Sequence, residues 1–235
     1  MDKNTTSNQS HYLFRIARHL IINSSYTDNL GLYDGKMGIL IFFAHFARYA
    51  QKKIYDDFAG KLLDEIYAEI HTETPINFKN GLCGIGWSME YLLQNNFLEG
   101  NSNEVLAGID AKIMERDPLY LCDKSFETGA AGILFYIITR LFSPKREKED
   151  IPFTPSYLES WYKVAQAECT QQTDLGHFSS LFMNWIKHED IKFTVNKLLP
   201  NIILSSVPMM DEEFIYLPFG LKNGSAGIGL KNILS

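Results

Sequence analysis

The chain alternates between two kinds of apolar segment. In the first kind, apolar residues recur every three or four positions among charged residues, which predicts a helix with one buried face. In the second kind nearly every position is apolar, as in GILIFFAHFARYA from residue 38, which predicts a helix buried on all sides. The first kind occurs at residues 12–22, 55–70, 105–113, 158–165 and 192–204. Runs with period-two alternation are missing, so no strand is predicted.

A short glycine motif precedes each segment of the second kind. Four copies have the form Gly-x-x-Gly and begin at residues 35, 81, 129 and 224, at intervals of 46, 48 and 95 residues. The last interval is close to twice the others, and a degenerate copy, Gly176-His-Phe-Ser179, stands where the missing repeat is expected. The pattern predicts five helical hairpins of about 47 residues, each with an outer amphipathic helix and an inner apolar one.

Five such hairpins predict an all-α fold, an α/α toroid whose inner helices form the wall of a central cavity. An open solenoid of helix pairs has the same local pattern, but glycine at each inner-helix start favours the toroid because neighbouring backbones can approach closely there. We expect one domain over residues 1–235, with residues 1–10 disordered. The residues predicted to rim the cavity are Gly35, Gly38, Gly81, Gly84, Trp87, Gly129, Gly132, Gly224 and Gly227.

Composition narrows the classes of function. The 235 residues are 46% hydrophobic, enough to bury a core, and the net charge of −6 disfavours a nucleic-acid partner. The sequence has no secretory signal and no apolar run long enough to cross a bilayer, which predicts a cytoplasmic protein without a membrane span. Its three cysteines form no Cys-x-x-Cys pair, which argues against a disulfide framework and a zinc knuckle.

The glycine motifs resemble those of a known family. Gly31-Leu-Tyr-Asp-Gly-Lys-Met-Gly38, Asn80-Gly-Leu-Cys-Gly-Ile-Gly-Trp87 and Thr128-Gly-Ala-Ala-Gly132 are similar to the inner-helix starts of lanthionine synthetase C-like (LanC-like) proteins. The resemblance implies an α/α toroid and a role in the maturation of ribosomally synthesised peptides. The implied partners are a precursor peptide or a peptide-modifying enzyme. Cyclases of the family add cysteine thiols to dehydrated Ser or Thr side chains.

Zinc is the cofactor that the resemblance implies for a cyclase. Family cyclases bind it through two cysteines and a histidine on Trp-Cys-Tyr-Gly-like and Cys-His-Gly-like motifs, and the metal makes the attacking thiol a thiolate. Neither motif occurs in this sequence, so no metal ligand is assigned and a zinc-dependent cyclase is disfavoured. Two functions stay open, a cyclase-like lyase that forms thioethers and a non-catalytic accessory that binds the peptide.

Cys83 and His177 are the candidate catalytic residues. Cys83 lies inside the second glycine motif and is a candidate metal ligand or nucleophile. His177 lies inside the fourth motif and is a candidate ligand, or a general base oriented by Asp174. The alternatives are that Cys83 is a small residue packed in a tight turn and that His177 is an ordinary loop histidine. We interpret Cys122 and Cys169 as reduced thiols.

Carboxylates suggest an alternative function. Toroids of this kind also occur among carbohydrate-active enzymes, in which two acids flank the scissile bond. Asp34 and Glu127 lie next to glycine motifs and Glu90 lies in the second apolar segment, so they could meet in one cavity. A ring of five hairpins that stays open would expose apolar helix faces, which favours a homodimer.

Overall fold

The computed structural model describes residues 3–146, 150–204 and 213–235. In these residues the chain is all-α, without a strand, as the sequence predicts. Amphipathic and apolar helices alternate, with five of each in the described residues. The amphipathic helices are α1 (Lys3–Asn23), α3 (Lys53–Glu69), α5 (Ser102–Met114), α7 (Pro155–Glu168) and α9 (Leu198–Leu204). The apolar helices are α2 (Lys36–Ala50), α4 (Leu82–Gln94), α6 (Ala130–Leu141), α8 (Asp174–Ile186) and α10 (Ser225–Leu234).

Burial separates the two kinds of helix. Helix α6 is buried along its whole length, whereas α3 buries only Ala59, Leu62 and Ile66. This difference follows from the apolar pattern, because a helix with polar residues on one side can cover a core but cannot enter it. Helix α8 is intermediate: its buried residues, Leu175, Gly176, Ser179 and Phe182, follow a single face.

Most helix boundaries follow local signals in the sequence. The side chain of Thr154 caps α7 by accepting a hydrogen bond from the Tyr157 N–H at 3.3 Å. Helix α1 begins at Lys3, within the first ten residues, for which we expected disorder. The segment predicted over residues 192–204 forms an α-helix only from Leu198, because Pro200 lacks an N–H and fits only the first turn.

The helices form two compact units, one from Met1–Glu73 and Asn196–Ser235 and the other from Thr74–Val195. In the first unit α10 packs against α1 and α2, so the first and fifth apolar helices are neighbours. In the second unit α6 packs against both α4 and α8. The single domain and the closed ring stay predictions.

One contact between neighbouring apolar helices occurs in both units. In the second unit the Tyr136 ring lies against Gly86, where a Cβ would be 2.5 Å from Cε2 of the ring. In the first unit the Phe42 ring lies against Gly229, where a Cβ would be 2.4 Å from Cε2. Both glycines are the fifth residue of their helix, and both aromatic residues are the seventh of theirs. Helix α10 therefore meets α2 in the same way as α4 meets α6.

Candidate functional site

Each Gly-x-x-Gly loop closes onto the start of its helix through the backbone. The first helical N–H bonds to the carbonyl oxygen seven residues earlier in four loops: Lys36 to Asn29 at 2.8 Å, Leu82 to Pro75 at 2.7 Å, Ala130 to Asp123 at 2.8 Å and Ser225 to Pro218 at 2.9 Å. These bonds satisfy an N–H group that a helix start otherwise leaves without a partner. Glycine is needed at the cap because a Cβ on Gly81 would lie 2.2 Å from the Pro75 oxygen.

Neighbouring loops are joined by an equivalent hydrogen bond in each unit. The Lys79 N–H donates to the Glu127 carbonyl at 2.8 Å, and the Lys222 N–H donates to the Tyr33 carbonyl at 3.0 Å. All four residues stand two positions before the first glycine of their motif. The second unit therefore holds the second and third glycine loops side by side, and the first unit holds the fifth and first loops in the same way.

The second glycine of a motif makes room for the neighbouring loop. A Cβ on Gly132 would lie 2.6 Å from the Cβ of Phe78, and a Cβ on Gly38 would lie 2.9 Å from the backbone nitrogen of Leu221. Phe78 and Leu221 are fully buried. The motif is thus a packing device for adjacent loops, which explains why the same spacing recurs along the chain.

The motif glycines themselves are buried, and the polar residue directly before each first glycine is less buried than the glycine. The buried glycines are Gly35, Gly38, Gly81, Gly84, Gly129, Gly132, Gly224 and Gly227. Asp34 and Asn80 are half-buried, and Thr128 and Asn223 are exposed. Of these four residues only Asp34 was singled out from the sequence, as a candidate carboxylate, although a polar residue directly before the first glycine is common to all four copies.

Cys83 is the second residue of α4 and is fully buried. The equivalent residues of α2, α6 and α10 are Met37, Ala131 and Ala226, which are also fully buried. Burial, with a smaller contribution from the negative charge of Asp110, raises the pKa of the Cys83 thiol well above its usual value. The structure therefore places a neutral thiol at a packing position that other repeats fill with an apolar side chain.

Trp87 is likewise fully buried. Its ring stacks on Tyr91 with centroids 5.5 Å apart and lies 5.9 Å from the ring of Phe78. The indole is therefore enclosed by residues of its own unit rather than presented at a rim.

Glu90 belongs to a buried ion network. Its carboxylate accepts a hydrogen bond from Nη1 of Arg140 at 3.1 Å and from Nε2 of Gln94 at 2.8 Å, and it also accepts one from Ser143. The side chains of Glu90 and Arg140 are both 0% exposed. A carboxylate that is enclosed and paired in this way cannot contact a sugar. Of the three acids considered for a carbohydrate-active enzyme, Glu90 is therefore excluded.

The fourth motif differs from its predicted form. Helix α8 begins at Asp174, and its cap is Thr173, whose Oγ1 accepts a hydrogen bond from the Gly176 N–H at 3.1 Å. The repeat is therefore Thr173-Asp-Leu-Gly176, with threonine at the first position and Gly176 at the second. His177 lies one residue beyond the motif and is exposed. In the described residues no hydrogen bond joins His177 to Asp174.

The residues present do not fit a zinc site built on Cys83 and His177. Cys83 is enclosed on α4, His177 is exposed on α8, and α6 packs against both of these helices. Among the described residues, no three His, Cys, Asp or Glu side chains are grouped so that they could hold a metal ion.

A family model matches more than half of the chain. The model of a family described as lanthionine synthetase C-like protein matches residues 26–160, which is more than half of the chain and includes the first three glycine motifs. No curated protein matches the chain. None of the described helices combines the length and the apolar character needed to cross a membrane.

Proposed function

The chain belongs to the lanthionine synthetase C-like family, and from this membership we propose that it binds a ribosomally synthesised peptide at its glycine loops during maturation of that peptide. The observation that supports the proposal is the pairing of adjacent loops, each of which has a half-buried or exposed polar residue directly before its first glycine. In the second unit the paired loops present Asn80 and Thr128, and in the first unit they present Asn223 and Asp34.

The chemistry of these side chains suits a peptide. An extended peptide offers backbone N–H donors and C=O acceptors. The amide, hydroxyl and carboxylate groups of the loops include both acceptors for the N–H groups and donors for the C=O groups. The loops are held by backbone hydrogen bonds to their helices and to each other. A site that is already ordered loses less conformational entropy when a ligand binds, which favours affinity.

We favour the accessory form of this function over a cyclase. A cyclase of this family needs an accessible thiolate ligand for its metal, whereas the Cys83 thiol is buried and its pKa is raised. A protein that binds the peptide and presents it to a modifying enzyme needs only the loops. The three free cysteines support a reducing, cytoplasmic location.

The proposal is tested by selecting ligands from a displayed library of random short peptides and measuring the Kd of a selected peptide. The double variant Asn80→Ala, Thr128→Ala should raise the Kd about tenfold, because it removes about two hydrogen bonds. The matched control is Glu159→Ala, Lys163→Ala on α7, which removes two exposed side chains of the same unit. No selected peptide, or equal losses in the two double variants, would refute binding at the loops.

A second experiment separates the accessory from the cyclase. The native protein is analysed for zinc by mass spectrometry and incubated with a synthetic peptide that contains one cysteine and one dehydroalanine. We expect substoichiometric zinc and ring closure at the spontaneous rate. Stoichiometric zinc that is lost in both Cys83→Ala and His177→Ala, together with faster ring closure, would replace the accessory with a cyclase.

A further inference from the structure

A histidine of α1 holds the fifth glycine loop, residues 218–224, in the first unit. The imidazole of His19 contacts the ring of Phe214, which lies before the loop, and the ring of Phe219, which lies in it, with centroids 5.6 and 5.7 Å apart. The carbonyl oxygen of Phe219 accepts a hydrogen bond from the Ala226 N–H at 3.2 Å, and this bond closes the loop onto α10. The imidazole therefore contacts the loop at the residue where it closes.

The hydrogen bonds of this imidazole require its neutral form. Nδ2 of Asn23 donates to the backbone carbonyl of His19 at 2.8 Å, and the same Nδ2 lies 3.2 Å from Nδ1 of the ring. An amide nitrogen only donates, so Nδ1 is the acceptor and carries no proton. The single ring proton is then on Nε2. This nitrogen is enclosed and has no hydrogen-bond partner among the described residues.

A second proton does not fit this site. An imidazolium has an N–H at both ring nitrogens, so Nδ1 would lose its hydrogen bond and point an N–H at the amide hydrogens of Asn23. The face of Phe214 already carries a cation, since Cζ of Arg15 lies 5.6 Å from the ring centroid. A charge on His19 would therefore add to a like charge beside the same apolar ring.

No described carboxylate offsets a charge on His19. The charged residues to consider are Arg15, one turn earlier on α1, Glu213 in the 3-10 helix before the loop, Lys222 in the loop and Lys231 on α10. Three of these are cations, which cannot offset a positive charge. Among the described residues burial is the cause that shifts the pKa of His19, and it lowers this pKa from 6.5.

We propose that His19 is a pH-sensitive contact, and that protonation of its imidazole releases the fifth glycine loop from α1. The neutral ring packs on Phe219 and keeps the loop closed, whereas the charged ring turns to water and the loop opens. Once the loop is open, His19 is solvated and its pKa returns to its ordinary value, so the open state gains population as the pH falls below 6.5. This opening does not rest on the function proposed above.

Amide hydrogen exchange of the whole chain, followed by mass spectrometry, tests the proposal. The N–H groups of Lys222, Ser225, Ala226 and Gly227 are all hydrogen-bonded in the closed loop. Their protection is measured at pH 7.5 and pH 5.0, relative to unfolded reference peptides at the same pH. We expect protection in the fifth loop to fall about tenfold at pH 5.0. The third glycine loop, which belongs to the other unit, is the internal control and should keep its protection.

Three variants connect the opening to the imidazole. His19→Gln keeps an oxygen that can accept from Asn23 but does not titrate, so its fifth loop should be equally protected at both pH values. Asn23→Asp places a carboxylate beside Nδ1, where it can accept from an imidazolium, and should keep the loop closed at pH 5.0. Glu213→Gln removes the carboxyl group of the 3-10 helix and should open as the wild type does.

Three results would overturn the proposal. The first is an equal loss of protection at pH 5.0 in the wild type and in His19→Gln. The second is an equal loss in the third and the fifth loop, which would indicate general destabilisation. The third is an Asn23→Asp variant that opens as readily as the wild type, and this variant decides the question if His19→Gln does not fold.

Discussion

Arg140 on α6 and Asp110 on α5 form a bidentate ion pair inside the second unit. Nη2 of Arg140 donates to Oδ2 of Asp110 at 2.8 Å, and Nε donates to Oδ1 at 3.2 Å. The two side chains are 0% and 3% exposed. Burial raises the pKa of Asp110, and the hydrogen bonds from Arg140 only partly offset this effect. Because Arg140 also holds Glu90 on α4, one guanidinium joins three helices.

Arg140→Met should therefore lower the free energy of unfolding by about 3–5 kcal/mol, since it leaves two buried carboxylates without their cation. Chemical denaturation of the wild type and the variant measures this difference. The control is Lys163→Met, which removes an exposed ion pair with Glu159 and should leave the free energy of unfolding nearly unchanged. A small effect of Arg140→Met would mean that the network is not what holds α5 to its neighbours.

Gly86→Ala should destabilise the fold by about 1–3 kcal/mol, because the new Cβ would overlap the ring of Tyr136. Thermal or chemical denaturation measures the change. Gly60→Ala is the matched control, since Gly60 lies inside α3 and has nothing within 4 Å of the added Cβ. That variant should stabilise the protein by about 0.5–1 kcal/mol through its effect on helix entropy. Equal effects at the two positions would contradict the close helix contact.

The histidine inside α2 should make stability depend on pH. Burial, assisted by the charge of Arg48, lowers the pKa of His45 from 6.5 to about 4. The folded state thus holds a neutral imidazole, whereas the unfolded chain takes up a proton below pH 6.5. His45 therefore makes its full contribution to the free energy of unfolding above pH 6.5. This contribution decreases by up to about 3 kcal/mol as the pH falls toward 4.

The measurement is the free energy of unfolding across this pH range for the wild type and His45→Gln. Other titrating groups contribute equally to both proteins, so the difference between the two curves isolates His45. We expect the wild type to lose more stability than the variant as the pH is lowered. Parallel curves would show that His45 is protonated as readily in the folded state as in the unfolded chain.

Cys83 should be unreactive in the folded protein. Its thiol is fully buried and its pKa is raised, and the reactive form of a thiol is the thiolate. A coloured thiol reagent should therefore titrate Cys122 and Cys169 under native conditions and all three cysteines after denaturation. Native labelling of Cys83 at the rate of Cys122 would reopen its assignment as a ligand or nucleophile.

Much of the fold was predictable because the signals are local. The all-α class, the alternation of helix types and the cap at Thr154 each depend on residues within one or two helical turns. The fourth motif was predicted three residues too late in the chain. It begins at Thr173, which caps α8 in place of the first glycine. A search for glycine alone cannot find such a copy, whereas a search for any capping residue three positions before a glycine can.

The candidate site was less predictable because exposure is not a local property. Cys83 and the motif glycines stood out by residue type, yet they are buried. The residues directly before the glycines are less buried, and two of them, Thr128 and Asn223, are exposed. His177 was also named by residue type, yet it is exposed on α8, whereas Cys83 is enclosed on α4.

The sequence by itself determined which segments are helices, which of them are apolar, where the repeat lies and to which family the chain belongs. These features follow from hydrophobic periodicity and capping, which act over a few residues. Only the tertiary structure decided that α10 packs on α2, that Arg140 joins Glu90 to Asp110 and that the Cys83 thiol is enclosed. The physical reason is that these relationships depend on contacts between residues far apart in the chain.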